Sequence, residues 1–255
     1  MSDDDIKPAT YQLVISVDAR RSGEYDDGDK PELRKQLYHV VEPAFLKAGA
    51  APASVHLEDR GDGILATVAA AVPPSGLLGV GLVEMHEQLR ASNRRLARPL
   101  GLRIGMHVGP VREDSRGVSG RAVDLACRLA DCQEARRLLD AARADLICVV
   151  SDSLYQDVVS PGGWGINPET YRSGPARLKE GEVTAWFHLP GLGRAQSSAT
   201  DLGRVPDSVA REVLDEMPEP GSGHVTIGRD QHNHNQSVYR GPVRFGDTHR
   251  EAGHE

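Results

Sequence analysis

The chain has 255 residues, of which 39% are hydrophobic, and this is enough for one sizeable domain with additional segments. Its formal net charge of -7 argues against a general nucleic-acid binder, because such proteins are usually basic, so we expect no nucleic-acid partner. Three cysteines without the spacing of a metal site favour a reduced, cytoplasmic protein.

The N-terminal tail, residues 1–10, begins with the acidic run MSDDD. A signal peptide begins with basic residues instead, and the longest apolar run, around Ile64 to Val72, is too short to span a bilayer. We therefore expect no membrane partner. The first periodic pattern, Tyr11 to Val17, is mostly apolar and predicts a central strand that ends at Asp18.

A helix and a hairpin are predicted next. Apolar residues recur at helical spacing from Pro31, which suits the first turn of a helix, to Gly49, which ends it. The stretch from Val55 to Val68 is typical of a strand, a tight acidic turn and a second strand, with Asp62 at the tip. A carboxylate held there by two strands is well placed to bind a divalent metal. Because Asp-Gly is also an ordinary turn dipeptide, the stretch alone leaves both interpretations open.

The rest of the domain alternates helical and extended patterns. Strands that alternate with helices, together with one tight hairpin, predict a mixed α/β or α+β sandwich. The predicted elements are, in order, a helix from about Leu77 to Ala97, a strand from Leu102 to Val111, a polar loop from Arg112 to Gly117, helices from Gly120 to Leu129 and from Gln133 to Ala142, a strand from Leu146 to Val150, a short helix from Ser151 to Val158, and two strands between Tyr171 and Leu189.

The composition changes after Pro190. Residues 191–223 are rich in Gly, Ser, Pro and charge, which is typical of a linker. Residues 224–255 form a low-complexity tail with Gly, His and Asn, in which Val225 to Asp230 and Val243 to Asp247 echo each other. Two interpretations stay open, a disordered tail and a weak repeat of short stacked strands that serves as an interaction motif for a partner.

Asp18 and Asp62 form a candidate metal site. The strands that carry them can lie side by side in a βαββ arrangement, which brings the two carboxylates together. Two carboxylates a few ångströms apart repel each other unless a divalent cation lies between them. Paired aspartates at strand ends are also common as turn and cap residues, so the pair alone does not decide between a metal site and a structural role.

Groups that suit a phosphate follow Asp18 in the sequence. Backbone N–H groups at the start of the next segment can bind a phosphate, and arginines and a lysine can neutralise its charge. With the two aspartates, these groups are the equipment of phosphoryl or nucleotidyl transfer through two metals. The candidate backbone and hydroxyl donors are Ala19, Arg20, Ser22 and Gly23, and the candidate cations are Arg20, Arg21, Arg128 and Lys179.

Six sequence blocks, in this order, resemble the catalytic domain of class III nucleotide cyclases, the adenylate and guanylate cyclases, over residues 11–190. The resemblance is closer to a divergent bacterial, actinobacterial-type group that is related to the pyrimidine cyclases of antiphage defence. It implies an α+β, ferredoxin-like (βαββαβ) sandwich followed by a disordered or repeat-like C-terminal tail. The blocks are VISVDARRSG, HLEDRGDGILATV, LRIGMHVGPV, GRAVDLACRLADC, ICVVSDSLYQDVV and ARLKEGEVTAWFHLPG.

The resemblance also implies an activity. A class III cyclase converts a nucleoside triphosphate to a 3′,5′-cyclic mononucleotide, which is a second messenger, and pyrophosphate. Asp18 and Asp62 match the two metal-binding aspartates, which would hold two Mg²⁺ or Mn²⁺ ions per site. Arg128 matches the arginine that stabilises the transition state. In this family these aspartates and this arginine come from different subunits, so the resemblance implies a homodimer.

Other matches concern substrate binding. Lys179 falls in the terminal strand-turn motif that supplies a phosphate-binding lysine, with Arg177 as the alternative. Glu58 lies at the base-reading position, where a carboxylate disfavours a plain adenine reader, and the second base-reading position falls near Gly117. The base, whether G, C, U or A, is not fixed by these residues.

Two departures from the family pattern leave a second function open. Asp124 stands where the family usually has an asparagine that orients the ribose. Its carboxylate can accept a hydrogen bond from a ribose hydroxyl, or it can pair with Arg128 one turn away and weaken that charge. The loop after Asp18 also lacks the usual glycine-aromatic pair. The alternative to an enzyme is therefore a cyclase-like nucleotide-binding or dimerisation module in a bacterial signalling or defence system.

Overall fold

The computed structural model describes residues 8–179 and 181–192. The expectations for the N-terminal tail before residue 8, for the linker beyond residue 192 and for the C-terminal tail lie outside the described residues. No helix in the described part of the chain is long and apolar enough to cross a membrane.

The described residues form one eight-stranded sheet and helices that pack on it. π-Helical turns lie at Leu77–Gly81 and at Tyr155–Val159. The strands are β1 (Thr10–Ala19), β2 (Val55–Asp59), β3 (Gly63–Val68), β4 (Leu102–Asp114), β5 (Gly117–Ser119), β6 (Leu146–Ser151), β7 (Tyr171–Leu178) and β8 (Gly181–His188). The α-helices are α1 (Lys30–Lys47), α2 (Pro74–Gly76), α3 (Leu82–Asn93), α4 (Arg121–Asp131), α5 (Gln133–Ala141) and α6 (Asp152–Leu154).

The sheet has the strand order β2-β3-β1-β4-β6-β8-β7, and β5 pairs with the far end of β4. β4 and β6 run parallel, and the other neighbours are antiparallel. In the first half of the chain the order is β1, α1, β2, β3, then α2 with α3, and β4. This order is the expected βαββαβ unit. The prediction of an α+β, ferredoxin-like sandwich is therefore confirmed.

Different helices cover the two faces of the sheet. Leu13, Ile15 and Val17 of β1 belong to the main core with residues of α1 and α3. Val14 instead packs with Leu65 of β3 and with residues of α4. Because side chains alternate along a strand, Asp18 lies on the same face as Val14. The last turn of α4 and the end of β1 therefore meet on one side of the sheet.

The structure differs from the sequence-based expectation at two elements. The expected polar loop from Arg112 to Gly117 is wrong, because β4 continues to Asp114 and pairs with β5 in a tight hairpin. Its polar side chains concealed the strand, since this end of the hairpin has no fully buried apolar face. The expected helix from Leu77 to Ala97 begins at α2 and ends at Asn93, whose side chain hydrogen-bonds both backbone groups of Leu100.

Gly105 allows α4 to lie directly on β4. A Cβ atom at Gly105 would lie 2.0 Å from the carbonyl oxygen of Ala126 and 2.6 Å from the backbone nitrogen of Ala130. Replacement by alanine must therefore push α4 off the sheet. We expect Gly105→Ala to lower the free energy of unfolding by about 3 kcal/mol in urea denaturation.

The matched control for this substitution is Gly23→Ala. A Cβ atom at Gly23 would have no atom within 4 Å, so this variant should unfold at the wild-type urea concentration. Equal midpoints for the two glycine variants would show that α4 tolerates displacement.

His188 lies at the buried end of β8, where its ring stacks on Tyr171 with 4.6 Å between ring centroids. Burial lowers the pKa of His188 from 6.5 to about 4. The unfolded chain therefore binds a proton in this window that the folded chain does not. We expect stability to be highest above pH 6.5 and to fall as the pH drops towards 4, by about 3 kcal/mol from this residue.

The pH slope is measured as the difference between wild type and His188→Phe in urea denaturation at a series of pH values. The difference isolates the effect of His188 from that of other buried histidines. Burial also lowers the pKa values of His86 and His107. His39→Phe, at an exposed position, should keep the wild-type slope. A slope that persists in His188→Phe would contradict the assignment.

Candidate active site

Asp18 and Asp62 lie next to each other at one end of the sheet. In the antiparallel register of β1 and β3, Asp18 is opposite Gly63, the residue after Asp62. The backbone N–H of Ala19 donates a hydrogen bond to the carbonyl oxygen of Asp62, at 3.0 Å. Gly63 itself must be a glycine, because a Cβ there would lie 2.4 Å from the carbonyl oxygen of Val17. The register thus holds the two aspartates together.

The loop after β1 folds back onto Asp62. Arg21 adopts a left-handed backbone conformation, with φ of 56°, and a short 3₁₀ turn at Ser22–Glu24 follows it. This turn brings the hydroxyl of Ser22 to Asp62, where Oγ donates a hydrogen bond to Oδ2 at 2.5 Å. Ser22 thereby fixes one oxygen of the carboxylate and joins the loop to the aspartate pair.

Arg103 is a site residue that the sequence reasoning missed. It lies directly opposite Asp18 in the register of β1 and β4, and its guanidinium forms an ion pair with the Asp18 carboxylate. Its Nε donates a hydrogen bond to the carbonyl of Ala130, at 3.1 Å, and an Nη lies 3.7 Å from Asp131 at the end of α4. The one available signal was a lone arginine in a strand, LRIGMHVGPV, of mostly apolar and glycine residues.

The electrostatics of Asp18 favour an additional positive charge at this place. Burial raises the pKa of the Asp18 carboxyl, Arg103 lowers it, and the nearby charge of Asp62 raises it again, so that the net direction is upward. Arg103 therefore does not fully compensate for the burial and for the second carboxylate. A divalent cation between the two aspartates would do so.

The aspartate pair suits a Mg²⁺ or Mn²⁺ ion that is also bound by substrate phosphates, and it suits less well a metal that is bound by protein side chains alone. The described residues contain no group of three or more His, Cys, Asp or Glu side chains that could hold a metal ion. Magnesium is usually bound by one or two carboxylates together with the phosphates of a substrate. Asp18 and Asp62 therefore fit a metal that arrives with a nucleotide.

A cationic cavity of about 300 Å³ adjoins the aspartates. The side chains of Arg20, Arg21, Arg103 and Arg136 line it, together with Ser22, Gly23, Leu139 and Asp140. Such a concentration of guanidinium groups matches the charge and the planar, bidentate hydrogen bonding of phosphate. The cavity is thus suited to phosphate groups.

Acidic side chains hold part of this arginine cluster in place. An Nη of Arg20 lies 3.6 Å from Asp140 and 3.3 Å from the carbonyl of Ala144. Arg136 pairs with Asp131, the same carboxylate that lies near Arg103. Nothing in the sequence pointed to Arg136, because it lies on the polar side of α5, where an arginine is ordinary.

The two positions that the resemblance assigns to base reading lie together. A Cβ atom at Gly117 would be 2.5 Å from Oε1 of Glu58. Oε1 also accepts a hydrogen bond from the backbone N–H of Val118, at 2.8 Å, and Oε2 accepts one from Arg60, at 2.7 Å. His56 Nε2 also lies 3.2 Å from Oε1. Glu58 thus fastens the hairpin of β4 and β5 to β2, and Oε2 keeps a further lone pair.

Asp124 and Arg128 lie one turn apart on α4, which packs on the same face of the sheet as Asp18. Asp124 is exposed and Arg128 is half-buried. The helix begins after Gly120, whose backbone φ of 138° favours glycine. The tight contact at Gly105 fixes the height of this helix above the sheet.

Lys179 is not brought to the aspartates of the same chain. It lies in the turn between β7 and β8, and β7 is separated from β1 by β4, β6 and β8. Four inter-strand steps amount to roughly 19 Å across the sheet. The strand registers also place this turn beyond the opposite ends of the strands. The alternative residue, Arg177, lies on the same hairpin, with its Nε 3.6 Å from Glu182.

Comparison with known proteins establishes the fold. No protein-family model matches the sequence, and no curated protein matches it either. Among solved structures, an adenylate/guanylate cyclase/hydrolase from Silicibacter pomeroyi is 19% identical and superposes with a TM-score of 0.53, over 73% of this chain and 100% of its own. The guanylyl cyclase Cya2 is 17% identical, with a TM-score of 0.51 over 72% of this chain and 94% of its own.

A third similar structure is the monomeric guanylyl cyclase domain of the RhoGC fusion protein from the aquatic fungus Blastocladiella emersonii. It is 17% identical and has a TM-score of 0.50 over 72% of this chain and 98% of its own. The described part of the chain therefore has the fold of adenylate and guanylate cyclase domains. At these identities the likeness shows the fold alone, and the function has to be argued from the site.

Proposed function

We propose that the protein is a nucleotide cyclase that converts a nucleoside triphosphate to a 3′,5′-cyclic mononucleotide and pyrophosphate. The observation that carries the proposal is the pair of Asp18 and Asp62 beside a cavity lined by four arginines. This combination suits a triphosphate with its metal ions, and it lies in a cyclase fold. The cyclic product would serve as a second messenger in a bacterial signalling or defence system, a role supported by the sequence resemblance only.

In the proposed reaction the ribose 3′-oxygen attacks the α-phosphorus. The new P–O bond closes the ring, the bond to the β-phosphate breaks, pyrophosphate leaves with the electron pair, and the hydroxyl proton passes to solvent. Two Mg²⁺ or Mn²⁺ ions, held by Asp18 and Asp62 with phosphate oxygens, would supply the charge that stabilises the 3′-alkoxide and the α-phosphate.

The side chains divide the remaining work. The arginines of the cavity, Arg20 and Arg103 above all, bind the phosphates of the leaving group, and Ser22 holds the Asp62 carboxylate in a fixed orientation. Arg128 offers fixed positive charge to the transition state, and Asp124 accepts a hydrogen bond from a ribose hydroxyl. Glu58 accepts a hydrogen bond from the base through the lone pair of Oε2 that Arg60 leaves available.

We further propose that the enzyme is a homodimer in which two copies share each site. The separation of Lys179 from the aspartates within one chain supports this, because a phosphate-binding lysine on that hairpin can reach a triphosphate only in a neighbouring subunit. A symmetric dimer of this kind has two equivalent sites. The protein would act in the cytoplasm, with a partner that binds through the C-terminal tail.

The test of the proposed function is an assay of the purified full chain with Mn²⁺ and each of the four ribonucleoside triphosphates. We expect pyrophosphate release from at least one of them and a product whose mass is that of the cyclic monophosphate. The identity of that product also fixes the base. If no triphosphate yields a cyclic product, the proposed activity is wrong.

The second candidate function is a nucleotide-binding or dimerisation module without turnover. The ion pair between Asp18 and Arg103 favours it, because an arginine already occupies part of the carboxylate that a metal would need. Asp124 favours it too. The discriminating result is nucleotide binding without product in the wild type, together with product formation in Asp124→Asn.

A further inference from the structure

Four side chains of alternating charge connect the aspartate pair to the cationic cavity. An Nη of Arg103 pairs with Asp18, and the same nitrogen lies 3.7 Å from Oδ1 of Asp131. That oxygen also pairs with an Nη of Arg136. Arg103 and Arg136 both line the cavity. Asp131 is therefore the carboxylate that links an arginine of the central strand β4 to an arginine of the surface helix α5.

Arg103 lies between two carboxylates. Its side chain is only 8% exposed, and its Nε donates a hydrogen bond to the carbonyl of Ala130 at 3.1 Å. The outer end of the guanidinium is shared by Asp18 and Asp131. If Asp131 lost its charge, Asp18 would be the remaining anionic partner, and Coulomb attraction would turn the guanidinium towards Asp18 and away from the cavity.

Arg136 depends on Asp131 in a different way. The backbone of α5 is fixed, because Ala135 and Leu138 are buried in the core below the helix. The side chain of Arg136, however, is 54% exposed. A long side chain at such a position samples many rotamers, and each of them takes the charged end elsewhere. The contact with Asp131 holds the guanidinium at the cavity.

The cations of the cavity come in two groups that are held by different carboxylates. Asp131 holds Arg103 and Arg136, whereas Asp140 lies 3.6 Å from Arg20 on the loop after β1. Both groups line one space of about 300 Å³. Because each phosphoryl group is best bound by its own guanidinium groups, the arrangement matches an anion with two phosphoryl groups. Pyrophosphate, the leaving group of the proposed reaction, is such an anion.

We propose that Asp131 is a positioning residue that holds the guanidinium groups of Arg103 and Arg136 in place to bind pyrophosphate. The proposal rests on the proposed function for the identity of the anion, but the binding itself requires no turnover. Its consequence has an unusual sign. A carboxylate near an anion repels it, so removal of the Asp131 charge should tighten binding by electrostatics alone. If Asp131 positions the arginines, its removal weakens binding instead.

The test is calorimetric titration of the purified full chain with inorganic pyrophosphate in the presence of EDTA. We expect Asp131→Asn and Arg136→Gln each to raise the Kd about tenfold, because arginines that are no longer held in place must be ordered on binding. Asp131→Glu keeps the carboxylate and should stay within about threefold of the wild type. The double variant Asp131→Asn with Arg136→Gln should fall well below the roughly hundredfold product of the single effects, since Asp131 acts partly through Arg136.

Glu134→Gln is the matched control. It also removes a negative charge from α5, but Glu134 contacts the backbone N–H of Arg177, at 3.4 Å, and none of the cavity arginines. Its Kd should stay constant or fall. The proposal is overturned if the wild type does not bind pyrophosphate, if Asp131→Asn binds it as tightly as the wild type or more tightly, or if the two single effects multiply in full.

These results are separable from the fate of the proposed function. If no triphosphate yields a cyclic product while the pyrophosphate affinities change as expected, the cyclase activity is wrong and the role of Asp131 stands. If a cyclic product forms but Asp131→Asn binds pyrophosphate as the wild type does, the role of Asp131 alone is wrong.

Discussion

Replacement of Asp62 by asparagine is expected to lower the rate of cyclic nucleotide formation roughly a thousandfold. Asparagine has the same shape, and its Oδ1 can still accept the hydrogen bond from Ser22. The substitution removes one negative charge at the place where two metal ions and a triphosphate are to be held. The measurement is the initial rate of pyrophosphate release at saturating Mn²⁺ with the preferred triphosphate.

The same variant should be no less stable than the wild type. The charge of Asp62 raises the pKa of Asp18, which means that the two carboxylates repel each other in the protein without metal. Removal of one charge relieves that repulsion, so the urea midpoint should stay constant or rise. Asp157→Asn, at an exposed position far from the site in sequence, serves as the matched control and should keep the full rate. An unchanged rate in Asp62→Asn would remove the metal-binding role of this aspartate.

Local patterns made the aspartate pair predictable. Mostly apolar runs identified β1 and β3, and the Gly-Asp-Gly turn placed Asp62 at the end of a strand. The short hairpin of β2 and β3 and the connection through α1 leave few ways to arrange these strands, so the two carboxylates were expected to lie together. Their position depends on the residues of the turn and on the hydrophobic pattern of the strands, and both can be recognised directly in the sequence.

The arginines Arg103 and Arg136 could not be predicted, because contacts between distant parts of the sequence bring them to the site. Arg103 meets Asp18 because β4 pairs with β1 across 85 positions of the sequence. The alternation of a strand says which face a side chain occupies, but it does not say which residue lies opposite on the neighbouring strand. Arg136 was hidden for a similar reason, since only the packing of α5 on β6 brings it to the cavity.

The burial of Tyr171 and His188 could not be predicted from the sequence. An alternating strand with a tyrosine or a histidine is ordinary, and burial depends on α3 and on the glycine-rich loop before β7. Lys179 is the opposite case. Its sequence motif could be recognised, but its distance from the aspartates depends on the strand order of the sheet.

The separation of Lys179 from the aspartates within one chain predicts a second large effect, in dimers made of two different defective chains. Asp62→Asn damages the half of the site that carries the aspartates, and Lys179→Ala damages the hairpin of β7 and β8. If a site takes one half from each chain, a heterodimer of these variants contains one intact site and one doubly damaged site. Heterodimers isolated through two different affinity tags should therefore have about half the wild-type rate, although either homodimer is nearly inactive.

The decisive comparison is a heterodimer of Asp18→Asn and Asp62→Asn chains. Both defects lie in the aspartate half, which each chain supplies from its own β1 and β3. Every site in this heterodimer lacks one aspartate, so its rate should stay as low as that of the homodimers. Recovery in the first pair and not in the second requires sites that are shared between chains. If Lys179 acted in its own chain, the first pair would fail to recover as well, because neither chain would then contain a complete site.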